Sequence, residues 1–319
     1  MPAKIRSLNR KNLHGVWSAL IIPWTDRDEL DSARFITEVR AYAGTGVHGV
    51  YTGGTTGEFY AQDDKTYERI TRITCEQAHD VGLPVQIGVS ALSTRTTRQR
   101  IRVARKAGAD AIQVALPFWL ELKDDEVKRF VREIAGEAGN LPIILYLTSR
   151  SKRKIEPPLF GELAAAVPTF IGTKDTGASV KQVRAMLKQA PDIAIFGGED
   201  FYERIPAGGR GGYCSITGFN APKIVELYEL CAAGWLREAK PLATAVNRFL
   251  HGALIPLVRN EGLWDSAVDR IQRVAGGGNV GIRCQSPYRS GTVKHVEQVL
   301  AWCRKNTPEL LPKHPGRRR

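Results

Sequence analysis

The sequence predicts an α/β protein, a (β/α)8 TIM barrel with a C-terminal helical extension, on three observations. Short apolar runs recur at 16–23, 49–51, 85–89, 111–115, 142–146, 170–174, 193–196 and 212–215, eight in all, as a closed parallel barrel requires. Between them lie helix-length amphipathic segments, at 32–43, 64–81, 94–107, 124–138 and 179–189, several opening on a Ser, Thr or Asp that can cap the first turn. The first run leads into Pro23-Trp24-Thr25, where an open doubly wound sheet would carry a glycine-rich dinucleotide turn.

After about Gly234 the alternation stops, and three apolar-periodic helices are expected at 236–258, 263–274 and 292–304, with Gly276-Gly277-Gly278 between the last two. The barrel is therefore placed at 12–235 and the helical extension at 236–311, with 1–11 and 312–319 as flexible ends. The aliphatic faces of the extension read as packing against the barrel.

Composition narrows the function classes. The 319 residues are 43% hydrophobic and 25% charged, which suits a large folded domain. The formal charge of +13 is spread over helical segments, so no nucleic-acid partner is expected. Five cysteines without a CxxC pair indicate neither a disulfide framework nor a zinc ribbon and fit a reducing cytoplasm. The N-terminus lacks an apolar core and no stretch reaches membrane-span length, so no membrane partner is expected. The six histidines show no metal-ligand spacing, and neither a metal nor a cofactor is expected.

In a barrel of this kind the chemistry sits at strand C-terminal ends, so the residues closing each run can be compared. Run six closes on Lys174, in Gly172-Thr173-Lys174-Asp175. An amine becomes a nucleophile only once its charged form is disfavoured, and a dry barrel mouth is expected to do this to Lys174. Run five closes on Tyr146; adjacent strands lie roughly 4.8 Å apart, so phenol and amine can meet. Run two is followed by Gly53-Gly54-Thr55-Thr56-Gly57-Glu58, whose backbone amides and hydroxyls can hold a small carboxylate. Period-two alternation sends Asp175 to the other face, so it is not read as a counterion of Lys174. Each element has an ordinary structural alternative, a capping turn or a core aromatic; their occurrence at three strand ends favours a Schiff-base site.

From about residue 15 to about residue 310 the chain resembles the class I aldolases of the dihydrodipicolinate synthase and N-acetylneuraminate lyase type. The motifs concerned are Gly15-Val16-Trp17-Ser18-Ala19-Leu20 with Pro23, the Thr55-Thr56 loop, Ala107-Gly108-Ala109-Asp110, Tyr146, and Gly172 to Asp175. The resemblance implies that Lys174 forms a Schiff base with pyruvate or another 2-oxo acid. It implies that Tyr146 is the acid/base with Thr55 in its relay, and that the Gly54, Thr55, Thr56 and Gly57 loop binds the carboxylate. Gly198, Glu199 and Ile216 would line the pocket, and the small-molecule enzyme would be a homodimer or homotetramer.

Two departures bear on the substrate. Where lysine-pathway synthases carry a second tyrosine after strand four, this chain has Pro117-Phe118-Trp119-Leu120, read as a bulkier apolar wall. The tyrosine is followed by Leu147-Thr148-Ser149-Arg150, which offsets the expected arginine by one position and leaves Arg150 as the candidate for an acidic distal group, with Lys152 beside it. The expected activity is thus aldol cleavage or condensation other than dihydrodipicolinate synthesis. The alternatives are a 2-oxo-3-deoxy sugar acid dehydratase using the same imine and a non-catalytic 2-oxo acid binding protein.

Overall fold

A computed structural model describes residues 7–312. Eight parallel strands, β1 (Gly15–Ala19), β2 (Gly49–Thr52), β3 (Val85–Gly88), β4 (Ala111–Ala115), β5 (Ile143–Tyr146), β6 (Phe170–Lys174), β7 (Ala194–Gly197) and β8 (Gly211–Cys214), close into a barrel in sequence order. Around them run α1 (Ser32–Arg40), α2 (Asp64–Asp80), α3 (Thr94–Ala107), α4 (Asp124–Ala138), α5 (Pro157–Ala166), α6 (Val180–Gln189), α7 (Phe201–Arg204) and α8 (Thr217–Ala232). The extension contributes α9 (Leu236–Phe249), α10 (Ile255–Arg259), α11 (Asp265–Ala275) and α12 (Val293–Asn306).

Every expected run holds a strand, with edges moved for local reasons. The first strand ends after Ala19: the Leu20 amide makes a last ladder bond, to Tyr51 O of β2 at 2.9 Å, and Pro23 further on has no N–H to give. The last stops at Cys214 because the Ser215 amide turns to Glu199 Oε1 at 2.6 Å. Asp31, Asp63, Ser93, Ser179 and Thr292 accept backbone hydrogen bonds as helix N-caps, which fixes where α1, α2, α3, α6 and α12 begin.

The helix expected over 236–258 is interrupted by a π-helical turn at Leu250–Leu254. Pro256 has no N–H for the carbonyl four residues earlier, so the ladder widens just before it. The small Gly252 lets this turn close on α12, since a Cβ there would lie 2.1 Å from the Trp302 ring.

Inward-facing Trp17, Tyr51, Ile144, Phe196 and Tyr213 fill the barrel, and its lower end is closed by Leu8 and Leu13. Residues 7–11 therefore differ from the fraying end expected for 1–11: Arg10 donates to Phe170 O at 3.0 Å and Ala164 O at 2.7 Å, pinning the segment under β6. The rest of that expectation, 1–6, and 313–319 of the other end lie outside the described residues. Among the described residues, no helix is long and apolar enough to cross a membrane, and all five cysteines are buried free thiols.

Candidate active site

Lys174 ends β6 and Tyr146 ends β5, and the two are register partners across the strand pair. Both side chains rise into the barrel mouth, where Lys174 Nζ lies 4.4 Å from the centre of the Tyr146 ring. Two further tyrosines complete the enclosure. Tyr51 accepts a hydrogen bond from Nζ at 3.0 Å, and the Tyr51 and Tyr213 rings lie 4.8 and 5.3 Å from it.

This surrounding changes the expected electrostatics of the amine. Burial disfavours the ammonium, as anticipated, but the Tyr51 and Tyr146 oxygens and the more distant Asp269 carboxylate outweigh it, and the Lys174 pKa lies above its ordinary value. Three aromatic faces around a cation act in the same direction. The resting amine is thus an ammonium, which would have to surrender a proton before any attack on a carbonyl. Tyr51 is itself pushed up by burial and stays a neutral phenol at physiological pH.

The loop after β2 brings Thr55 and Thr56 to the same mouth. Its path depends on a close approach between β2 and β3: a Cβ on Gly53, whose φ is +74°, would meet Gly88 O at 2.5 Å. The amides of Thr55, Thr56 and Gly57 donate to no acceptor among the described residues, as an anion-holding turn requires. The Thr56 hydroxyl, however, donates to Asp269 Oδ2 at 2.6 Å. Asp269 comes from α11, and burial, with Asp265 and Glu199 nearby, pushes its carboxyl up to about 7 against the hydrogen bonds from Thr56 and Gln272.

The same helix holds the loop a second time. Arg270, fully buried, pairs with the equally buried Glu58 and donates to Ile22 O at 2.7 Å. Glu58 also accepts from Trp24 Nε1 at 2.6 Å and from the Gln285 amide at 2.8 Å.

Two cavities open at this end. The larger, about 750 Å3, contains Lys174, Tyr51 and Tyr213, is walled by Gly198, Glu199 and Asp269, and extends to α9. The smaller, about 270 Å3, contains Gly54, Phe118 and Arg150. Thr55 and Tyr146 belong to both.

The remaining residues expected at the site are more dispersed. Glu199 reaches the larger cavity, but its Oε1 already accepts from the Ser215 and Ile216 amides at 2.6 and 3.0 Å. Gly57 and Ile216 line neither cavity; the Ile216 side chain is packed in the core, and Gly57 is buried with its carbonyl taken by Gln62 Nε2. Arg150 is paired with Asp265 at 2.7 Å, so its charge is already compensated. Lys152 points away and donates to Trp119 O at 2.9 Å. Of the expected apolar wall only Phe118 reaches a cavity, while Trp119 and Leu120 are 74% and 73% exposed.

Sequence reasoning missed Tyr51, Tyr213 and Asp269. Tyr51 closes the second run and could have been compared with the other strand ends. Asp269 carries no local signal, because its partner Thr56 lies 213 positions away.

Comparison with known proteins agrees with this architecture. Residues 12–260 match the model of the dihydrodipicolinate synthetase family. The N-acetylneuraminate lyase of Salmonella typhimurium is 27% identical over 244 residues, covering 75% of this chain and 81% of that protein. A prophage protein of the dihydrodipicolinic acid synthase family from E. coli K12, solved in complex with pyruvate, superposes with TM-score 0.82 at 21% identity, covering 92% of this chain and 98% of the other. The N-acetylneuraminate lyase of Fusobacterium nucleatum superposes with TM-score 0.80 at 22% identity over 92% and 99% of the two chains. With the match extending over the barrel and into the helical extension, this chain belongs to the dihydrodipicolinate synthetase family.

Proposed function

We propose that the protein is a lyase that forms a Schiff base between Lys174 and a 2-oxo acid, pyruvate being the simplest, and makes or breaks a carbon–carbon bond at the adjacent carbon. The observation that carries this reading is the placement of Lys174 Nζ among Tyr51, Tyr146 and Tyr213, with Tyr146 facing it at 4.4 Å in a cavity of about 750 Å3. Lys174 attacks the ketone and the carbinolamine loses water. The protonated imine then draws electrons from the neighbouring carbon, giving an enamine. Tyr146 is assigned the proton transfers and Thr55, which borders both cavities, its relay. The free amides of Thr55 and Thr56 are assigned to the substrate carboxylate, with the Thr56 hydroxyl oriented by Asp269.

The Thr148 to Arg150 segment supports an activity other than dihydrodipicolinate synthesis. An arginine already paired with Asp265 is poorly suited to receive a carboxylate-bearing aldehyde. The five buried thiols fit a reducing cytoplasm, and the exposed Trp119 and Leu120 suit association of copies through the loop after β4, at least as a dimer.

Enamine formation is tested by following the methyl protons of pyruvate by NMR in D2O. The wild-type protein is expected to catalyse their exchange, and Tyr146→Phe to slow it by about 10²- to 10⁴-fold. A wild-type protein that binds pyruvate without any exchange would instead be a binding protein.

A further inference from the structure

The two cavities that meet at Thr55 and Tyr146 differ in chemistry. The larger carries charged and hydrogen-bonding side chains on its far wall, among them Glu199, Lys240, Asn247 and His251. The smaller is walled by rings: Phe59, Tyr60, Phe118, Trp264 and Tyr288. Phe59 and Phe118 meet edge to face at 6.2 Å and 89°, and Tyr60 and Tyr288 at 4.7 Å and 71°. Such pairs hold one another in place and present both flat faces and positive edges to an occupant.

Its volume of about 270 Å3 exceeds the ~150 Å3 in which an apolar cavity binds benzene, leaving room for one ring and a carbonyl substituent. The floor holds Gln113, 2% exposed, whose Nε2 has no hydrogen-bond partner among the described residues. A buried donor left over in an apolar box favours an occupant that brings one acceptor oxygen. The only cation on this lining, Arg150, is paired with Asp265 at 2.7 Å, so the box offers little to an anionic tail.

Building on the Schiff-base reading, we propose that the smaller cavity takes the carbonyl partner of the aldol reaction, and that this partner is an uncharged aryl aldehyde. The ring sits among Phe59, Phe118 and Tyr288, and the carbonyl points toward Tyr146, the side chain common to both cavities. The enamine electron pair on the Lys174-bound 2-oxo acid attacks the aldehyde carbon. A carbon–carbon bond forms as the aldehyde π bond breaks, and its oxygen takes the Tyr146 phenol proton. Water then hydrolyses the iminium, releasing a 4-aryl-4-hydroxy-2-oxo acid and the free amine, and the proton set free restores the Tyr146 phenol. The reverse reaction cleaves the same acid.

The test supplies the full chain with pyruvate and either benzaldehyde or glyceraldehyde and measures adduct formation by mass spectrometry. Benzaldehyde is expected to have a kcat/KM at least about tenfold higher, and Phe118→Ala, at a partly exposed position, to raise the KM for benzaldehyde about tenfold with a smaller change in kcat. A preference for glyceraldehyde, or a Phe118→Ala effect equal for both aldehydes, overturns the proposal. Pyruvate proton exchange on the wild-type protein is run alongside. Exchange without a benzaldehyde adduct rejects the aryl partner alone; no exchange rejects the Schiff-base reading and the aryl partner with it.

Discussion

The strand ends of the barrel and helix α11 contribute to the same site in different ways. The strand ends supply the candidate reactive pair, Lys174 and Tyr146, with Tyr51 bonded to the amine, each near the close of an apolar strand whose direction dictates where its side chain points. Helix α11 places nothing within hydrogen-bonding reach of the amine, yet it grips the surrounding loops: Asp269 holds Thr56, Arg270 holds Glu58, and Asp265 holds Arg150. Arg273 adds an ion pair to Glu38 of α1 at 2.8 Å. The difference teaches that in this chain the helical extension is part of the scaffold of the candidate site, because the loops at the barrel mouth are tied to it.

The largest effect on stability is expected where the helix makes its deepest contact. Arg270→Met leaves Glu58 buried without its partner and should cost about 3–5 kcal/mol. Adding Glu58→Gln to that variant should recover part of the loss, which chemical denaturation of both can check. Equal losses in the two would mean that Arg270 acts through packing alone.

Asp269 gives a smaller, pH-dependent effect. Its carboxyl titrates near 7 in the folded protein against an ordinary 3.8, so the folded state holds its proton more tightly than the unfolded chain does. Stability therefore falls as pH rises from about 4 to about 7 and levels off above that. Asp269→Asn escapes this loss, so its Tm relative to wild type should rise between about pH 5 and about pH 8. A constant difference across that range would show that the carboxyl titrates normally.

The Lys174 amine sharpens the other side of the comparison. With its pKa above the ordinary lysine value, the rate of imine formation should climb steadily from pH 7 to pH 10. A plateau near pH 7 would place the amine pKa below it, as a merely dry pocket would. The smallest effect belongs to Arg150→Ala, which removes a half-exposed ion pair and should change stability by roughly 0.2–1 kcal/mol.

What could be read from the sequence follows the same division. Apolar runs, caps and strand ends are local patterns, so the barrel and the positions of Lys174, Tyr146 and the Thr55-Thr56 turn at its mouth can be read from it. Apolar periodicity over 263–274 marks a helix packed against the barrel, and Ala267, Val268 and Ile271 of α11 are buried. Its polar residues Asp269 and Arg270 are buried as well, against partners more than two hundred positions away, and buried Gln272 donates to Asp269. Arg150 shows the opposite limit: its position on a loop at the mouth was foreseeable, but not that Asp265 would claim its charge.

The most direct test of the account is to reduce the protein with borohydride in the presence of pyruvate and map the adduct by peptide mass spectrometry. The account predicts one pyruvyl adduct, on Lys174, absent from Lys174→Ala. An adduct on another lysine, or none from a folded wild-type protein, would contradict it.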